Sequence, residues 1–213
     1  MAFAQEDFSS AASGAPSHIA ARRAPRFNTN DAEHKGTGIA VVHGMDDLMK
    51  VVAIRSAVFM GEEKFAFAQQ FDGNDFCATH LLYSVDGEPA ACMRIRFFGD
   101  FAKMERLAVR REFRRSRIAF QLVRASVDLC RAKGYRRIYG HAKVDKLDFW
   151  QHFGFKIKDN GEPFEMAGYL CVEMVEEVEP FDDAIRLGED PIRTIRPEGA
   201  WDEPGILERE VGF

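Results

Sequence analysis

The chain of 213 residues is short of several things, and each shortage narrows what it does. It has four cysteines, Cys77, Cys92, Cys130 and Cys171. No two are spaced as CxxC, so neither a zinc cluster nor a dithiol redox pair is suggested. They read as reduced, mostly buried thiols of a cytosolic protein. No run approaches the roughly 18 apolar residues that a membrane helix needs. The N-terminus, MAFAQEDFSSAASGAPSHIAARRAPRF, has acids early, arginines late and no apolar stretch of the signal-peptide kind. Nor is there an excess of positive charge. Lys and Arg number 29 against 34 Asp and Glu, a net charge of −5, which disfavours a broad nucleic-acid surface. The expectation is a cytoplasmic protein without a membrane span. What the chain does have is bulk: 46% of it is hydrophobic and nineteen residues are Phe, enough to fill the core of one ordinary domain.

Three regions differ in composition. Residues 1–37 are rich in Ala, Ser, Gly and Pro without steady periodicity and read as a flexible arm. A patterned domain follows over 38–178. "IAVVH" (39–43) is a short strand, and "MDDLMKVVAIRSAVFM" (45–60) repeats its apolar residues at helical spacing. "HLLYSV" (80–85) and "AACMRIRFF" (90–98) flank an Asp-Gly turn and read as a hairpin, with "AKMERLAV" (102–109) as the next strand. The spacing of Ile118, Leu122, Ala125 and Leu129 predicts a helix over 116–135, with Gly134 as its C-cap. "RRIYGHA" (136–142) is a strand, "DKLDFWQHF" (145–153) a short helix and "YLCVEMV" (169–175) a last strand. From residue 173 onward there are thirteen acids against four bases, and 179–213 reads as an acidic tail, loosely docked or disordered. Such a tail could fold over the basic stretch 103–137 and compete with an anionic ligand.

The conspicuous local feature is "EFRRSRIAF" (112–120), where Arg114, Arg115 and Arg117 crowd a strand-to-helix junction with no glycine among them. A helix N-terminus presents unpaired N–H groups and a partial positive charge. A loop that runs into it, with arginines added, suits a pyrophosphate or a 3′-phosphate. For any single arginine, a solvated surface position is an equal reading.

With this junction in view, "MERLAVRREFRRSRIAFQLVRASVDLCRAKGYRRIYGHA" and "DFWQHFGF" together resemble the acyl-CoA core of the GNAT superfamily of N-acyltransferases. That family's loop follows [Q/R]-x-x-G-x-[G/A]. Arg114 matches its first position and Ala119 its last, and Arg117 stands where the pattern has glycine. The resemblance implies an α+β (mixed α/β) fold with a mixed, mostly antiparallel sheet flanked by helices, its fourth and fifth strands splayed. It implies acetyl-CoA or another acyl-CoA as co-substrate and no metal. The pantetheine arm would pair with the backbone of Leu107, Ala108 and Val109. The amides of Arg115, Ser116, Arg117, Ile118, Ala119 and Phe120 would hold the pyrophosphate, and Phe149 and Trp150 would flank the thiol arm.

Transfer of an acyl group from a thioester to an amine needs a base for the ammonium, donors for the oxyanion and a proton for the thiolate. Glu105 stands where some family members place the base. The other reading is a cross-strand ion pair with an arginine, and on a regular strand its neighbour Arg106 faces the opposite way. Trp150 occupies the place where relatives often carry a tyrosine acid and cannot serve as one. His141 and Tyr169 are alternatives, and water is a third. Asp72 and Asp75 frame Gly73-Asn74 in the expected acceptor region, either to hold a cationic amine or, preferably, to bond the local backbone in a turn. The segment from "AIRSAVF" to "DFCATHLL" also resembles acyl-homoserine-lactone and N-acyl amino acid synthases, which makes long acyl chains on an acyl carrier protein the rival donor. A non-catalytic CoA-sensing or partner-binding module is a further alternative. The partners implied are a small-molecule or peptide amine, an acyl carrier protein under the rival reading, and a second copy of the chain in a homodimer.

Overall fold

In the structure, a computed structural model, residues 23, 24, 27 and 36–209 are described. The arm expected over 1–37 lies almost wholly outside them.

One sheet organises the chain. Its strands are β1 (Gly38–Val41), β2 (Thr79–Val85), β3 (Glu88–Phe97), β4 (Ala102–Val109), β5 (Arg137–Lys143), β6 (Lys156–Ile157), β7 (Phe164–Met166) and β8 (Tyr169–Glu177). The order is β1-β2-β3-β4-β5-β8-β6, with β7 also on β8. Every pairing is antiparallel except β4 with β5. The sheet is thus mixed and mostly antiparallel, as expected. Two helices cover its faces. Helix α1 (Met45–Arg55) buries Val51 and Ile54 against Leu82, Cys92 and Ala108. On the other face, α3 (Ile118–Ala132) buries Leu122, Val123 and Leu129 with Leu81, Met93, Leu107 and Val109. The one-in-two alternation of β2, β3 and β4 between these clusters is what assigns each side chain to a face. Because β3 lies between both helices, six of its consecutive residues are buried, including a charged one.

Helix α3 ends as its sequence implies. Gly134 has φ of 85°, and Tyr135 donates to the carbonyl of Cys130 at 3.0 Å, a Schellman closure. Helix α1 differs from expectation. It gives way to a π-helical segment, Ser56–Glu62, which carries the chain on to the short helix α2 (Phe67–Gln70). Wide turns of this kind are frequent at functional sites, and this one, with its C-cap Glu63, sets Phe59 and Glu63 at the cavity described below.

The acidic segment after β8 does not hang free. Phe181, Ala184 and Trp201 are buried. Arg131 donates to the carbonyl of Glu179 at 2.7 Å, and Lys133 pairs with Glu198 at 2.6 Å. These contacts lie toward the C-terminal end of α3. Among the described residues, none of Arg114, Arg115 and Arg117 pairs with this segment, so it leaves the arginine junction open. Over the described residues it lies as a strap against the domain, anchored by two aromatic side chains that the charge count concealed. Among the described residues no helix is long and apolar enough to cross a membrane.

Candidate active site

The parallel strands β4 and β5 meet only at Ala102↔Ile138 and Lys103↔Tyr139, and then part. Gly140 sits at the fork. A Cβ there would lie 3.1 Å from the carbonyl oxygen of Met104, so a side chain would push the strands apart at their last close approach. Beyond it, among the described residues, the β5-facing edge of β4 has no ladder partner. The wedge holds a cavity of about 470 Å³, a usual size for a small-molecule site. Leu107 lies on its β4 wall and His141 on its β5 wall. Phe59 and Phe65 line it, as do Phe149 and Trp150 from α4 (Leu147–Gln151).

A bulge interrupts β4 within this wall. Cys92 faces Ala108 and Arg94 faces Glu105, so two residues, Arg106 and Leu107, oppose the single Met93. Arg106 takes φ of 58°. The bulge reverses the regular alternation, so Glu105 and Arg106 both point to the α1 face, contrary to the expectation for a straight strand. Arg106 stacks over Phe59 and Phe65 and donates to the carbonyl of Gln69 at 2.6 Å and to Asp72 at 3.1 Å.

Behind this wall lies a buried charge cluster centred on Arg94. Arg94 is 1% exposed. It makes a bidentate pair with Asp72 (2.8 and 2.5 Å) and also reaches Asp75 (2.9 Å) and Glu105 (2.9 Å). Arg55, fully buried, binds Asp75 and the carbonyl of Gln70. A buried guanidinium must be paired in this way or it would cost several kcal/mol, on the order of 3–5 when one partner is lost. Burial alone would raise the Asp72 carboxyl, but hydrogen bonds from Arg94 and Arg106 hold it well below the usual carboxylate range. Asp75 is held down likewise, by Arg55 and Arg94 against its own burial. The two aspartates thus brace the wall. Asp72 also accepts from the Asn74 backbone at 3.2 Å, the turn contact expected of it. Glu105 has both oxygens committed, Oε1 to Arg94 and Oε2 to Lys103 at 3.2 Å, which is the ion-pair reading.

His141 is differently placed. Its strand neighbour Tyr139, two residues back on the same face, has its hydroxyl 2.8 Å from His141 Nε2 and donates to Glu173 Oε1 at 2.5 Å. Glu173 lies directly opposite His141 in register on β8 and is tied by Lys158 at 3.1 Å. Hydrogen bonds from Tyr139 and Lys158 depress the Glu173 carboxyl, so it is ionised and accepts. Burial, then Glu173, pushes the Tyr139 phenol upward, so it keeps its proton. With that proton given to Glu173, the phenol oxygen can only accept from His141, which puts the imidazole proton on Nε2 and the lone pair on Nδ1. Burial, and then Lys103, lower the His141 pKa against the opposing pull of Glu173 and Glu105, so the ring is neutral near pH 7. Tyr169, the other candidate acid, does not line the cavity. Its ring carries the Lys143 ammonium at 3.2 Å.

At the arginine junction the residues divide. Arg114 is a clip: Nε donates to the carbonyl of Val109 at 3.0 Å, and its two amino groups hold Glu62 at 2.7 and 2.9 Å. Arg115 takes the left-handed conformation, φ of 65°, whereas Arg117 has φ of −80°. Arg117 therefore bears no backbone strain in place of a glycine. Both Arg115 and Arg117 are exposed, and Ser116 bonds the carbonyl of Phe113 at 2.6 Å. Ile118 and Ala119 are buried in the core. Phe120 meets Phe149 edge-on at 5.3 Å and joins the helix start to the cavity wall. Ala108 and Val109 are buried on β4 next to Leu107.

This architecture is shared with solved structures. Escherichia coli ElaA superposes with a TM-score of 0.60 at 23% identity, over 66% of this chain and 99% of that one. An acyl-CoA N-acyltransferase from Pseudomonas aeruginosa gives 0.60 at 18% identity, over 66% and 99%. The fold is that of the acyl-CoA N-acyltransferases. Residues 49–155, half of the chain, match the acetyltransferase (GNAT) family, and the chain belongs to that family. The Bacillus subtilis protein YyaT is 26% identical over 135 residues, which is 62% of this chain and 90% of that protein.

Proposed function

We propose that the protein is an N-acyltransferase that moves an acyl group, acetyl in the first instance, from acyl-CoA to the primary amine of an acceptor. The observation that carries this reading is the wedge: an unpaired edge of β4 opens opposite a neutral histidine, between aromatic walls, and leads to an amide-rich helix start. The pantetheine arm adds to the free edge at Leu107–Val109. The diphosphate meets the amides from Arg115 to Phe120, helped by the exposed Arg115 and Arg117 rather than by Arg114. Phe149 and Trp150 flank the thiol arm.

In the reaction the acceptor ammonium gives a proton to His141 Nδ1. The neutral amine attacks the thioester carbon, and a backbone N–H freed by the bulge at Arg106–Leu107 receives the oxyanion. The C–S bond then breaks, and the second proton that the acylated nitrogen sheds passes through water to the departing thiolate, because a thiol is acidic enough to leave without a dedicated acid. Glu105 serves electrostatically, between Arg94 and Lys103, and Tyr139 and Glu173 position the imidazole. The test is thiol release from acetyl-CoA across an amine library. Acceptor-dependent release that drops by about 10²–10⁴-fold in His141→Gln is expected. Release indifferent to that change would remove His141 from the mechanism, and CoA binding without release for any amine or acyl chain would leave a sensor in place of an enzyme.

A further inference from the structure

The cavity carries more positive charge than its own acids balance. Asp72 and Glu105 are both held by Arg94 from behind the wall, with Arg106 also on Asp72. Glu63 is paired with Lys143 at 2.9 Å. Arg96 also lines the cavity, and among the described residues it makes no ion pair with a carboxylate. Its guanidinium lies over the Phe98 ring at 4.9 Å, and among the described residues its N–H groups make no hydrogen bond. It also sits directly opposite Lys103 in the β3–β4 register. Two like charges facing each other across a ladder are destabilising, and the single Glu105 contact to Lys103 is shared with Arg94. An anion lying between them would relieve that repulsion. Lys103 also pairs in register with Tyr139, two residues from His141 on the same face, so the pair borders the proposed proton acceptor.

On the reading given above, we propose that Arg96 and Lys103 form an anion subsite and that the acceptor is an amine bearing a carboxylate, of amino-acid size, with its carboxylate between these two residues and its amine at His141. The same field serves the chemistry, since a positive surround favours the neutral form of the amine. A polyamine or an aminoglycoside, with several positive charges, does not fit a site of this sign.

The test uses matched acceptors on the intact protein: amino acids, their carboxamides and their decarboxylated amines, with acetyl-CoA in the thiol-release assay. Turnover confined to the carboxylate-bearing members is expected. Arg96→Gln should raise their KM by about 10- to 100-fold, the loss of a hydrogen bond to a charged group, with kcat changed far less, and Arg96→Lys should recover part of the loss. Without ligand, Arg96→Gln should raise Tm, because it relieves the facing charges; a merely structural arginine would lower it. Equal use of the carboxamides or amines, or an unchanged KM in Arg96→Gln, overturns the proposal while leaving the acyltransfer reading intact. Should no member turn over, calorimetry with CoA present decides: carboxylate-selective binding that Arg96→Gln abolishes supports the subsite, and no selectivity overturns it. CoA binding in the absence of any acceptor tests the donor reading separately.

Discussion

If His141 accepts the proton, its titration sets the acid limb of kcat/KM, and two substitutions should move that limb in opposite directions. Glu173 is ionised and one hydroxyl away from the ring, and it raises the His141 pKa. Lys103 lowers it, second only to burial. Glu173→Gln removes the negative charge, so the histidine loses its proton at a lower pH and the limb shifts down. Lys103→Gln removes the positive charge, so the limb shifts up. The magnitude follows from Coulomb's law. A unit charge roughly 5 Å away, the most that the 2.5 and 2.8 Å contacts through the Tyr139 hydroxyl allow for Glu173, is worth about 0.8 kcal/mol in water and about 3 kcal/mol at an effective dielectric near 20. At about 1.36 kcal/mol per pH unit, the Glu173 shift falls between roughly 0.6 and 2.4 units, and the Lys103 shift is of the opposite sign. Both should shrink as salt is added, the more so for the partly exposed Glu173. The assay is the pH profile of thiol release for the parent and both variants at low and high ionic strength. Shifts of the same sign, or an unmoved limb in both, would refute the assignment of the limb to His141.

Other outcomes follow from the same geometry. Asp72→Asn should destabilise the fold by about 3 kcal/mol in urea unfolding, because Arg94 loses a bidentate partner while buried. The folded-state pKa of Asp72 and Asp75 is depressed, so their contribution is present above the unfolded value near 4 and fades as pH falls below it; the parent should lose stability there, and Asp72→Asn should lose less. Arg117→Ala should weaken CoA binding by up to about tenfold at low salt and hardly at all at high salt, measured by calorimetry. Truncation after residue 178 strips the packing of Phe181 and Trp201 and should lower stability by several kcal/mol, at about 1.5–3 kcal/mol per large buried side chain, without strengthening CoA binding.

Much of the frame was legible. The Asp-Gly hairpin, the span of β4 and the amphipathic α3 with its Gly134 cap follow from period and turn chemistry. The π segment at Ser56–Glu62 was not, because its apolar residues continue the helical spacing of α1. Strands β6 and β7 have two and three residues, too few for a period to show. The bulge at Arg106 leaves no mark in a sequence that alternates well on either side of it. Arg94 was legible: an arginine inside the apolar run "AACMRIRFF" must have carboxylate partners, and Asp72, Asp75 and Glu105 supply them. The Tyr139–His141 pair, two apart on a strand, was readable as sharing a face. Its meaning depends on Glu173, which only the register of β5 against β8 brings opposite.

On the proposed function, the gap between β4 and β5 receives a thioester arm whose diphosphate rests on the first amides of α3. A crystal structure with a non-hydrolysable acetyl-CoA analogue puts this to the test. Diphosphate oxygens are expected within hydrogen-bond distance of amides between Arg115 and Phe120, with the acyl carbonyl beside the bulge and His141 facing it. An analogue bound elsewhere, or a gap filled by the Arg117 side chain, would contradict it.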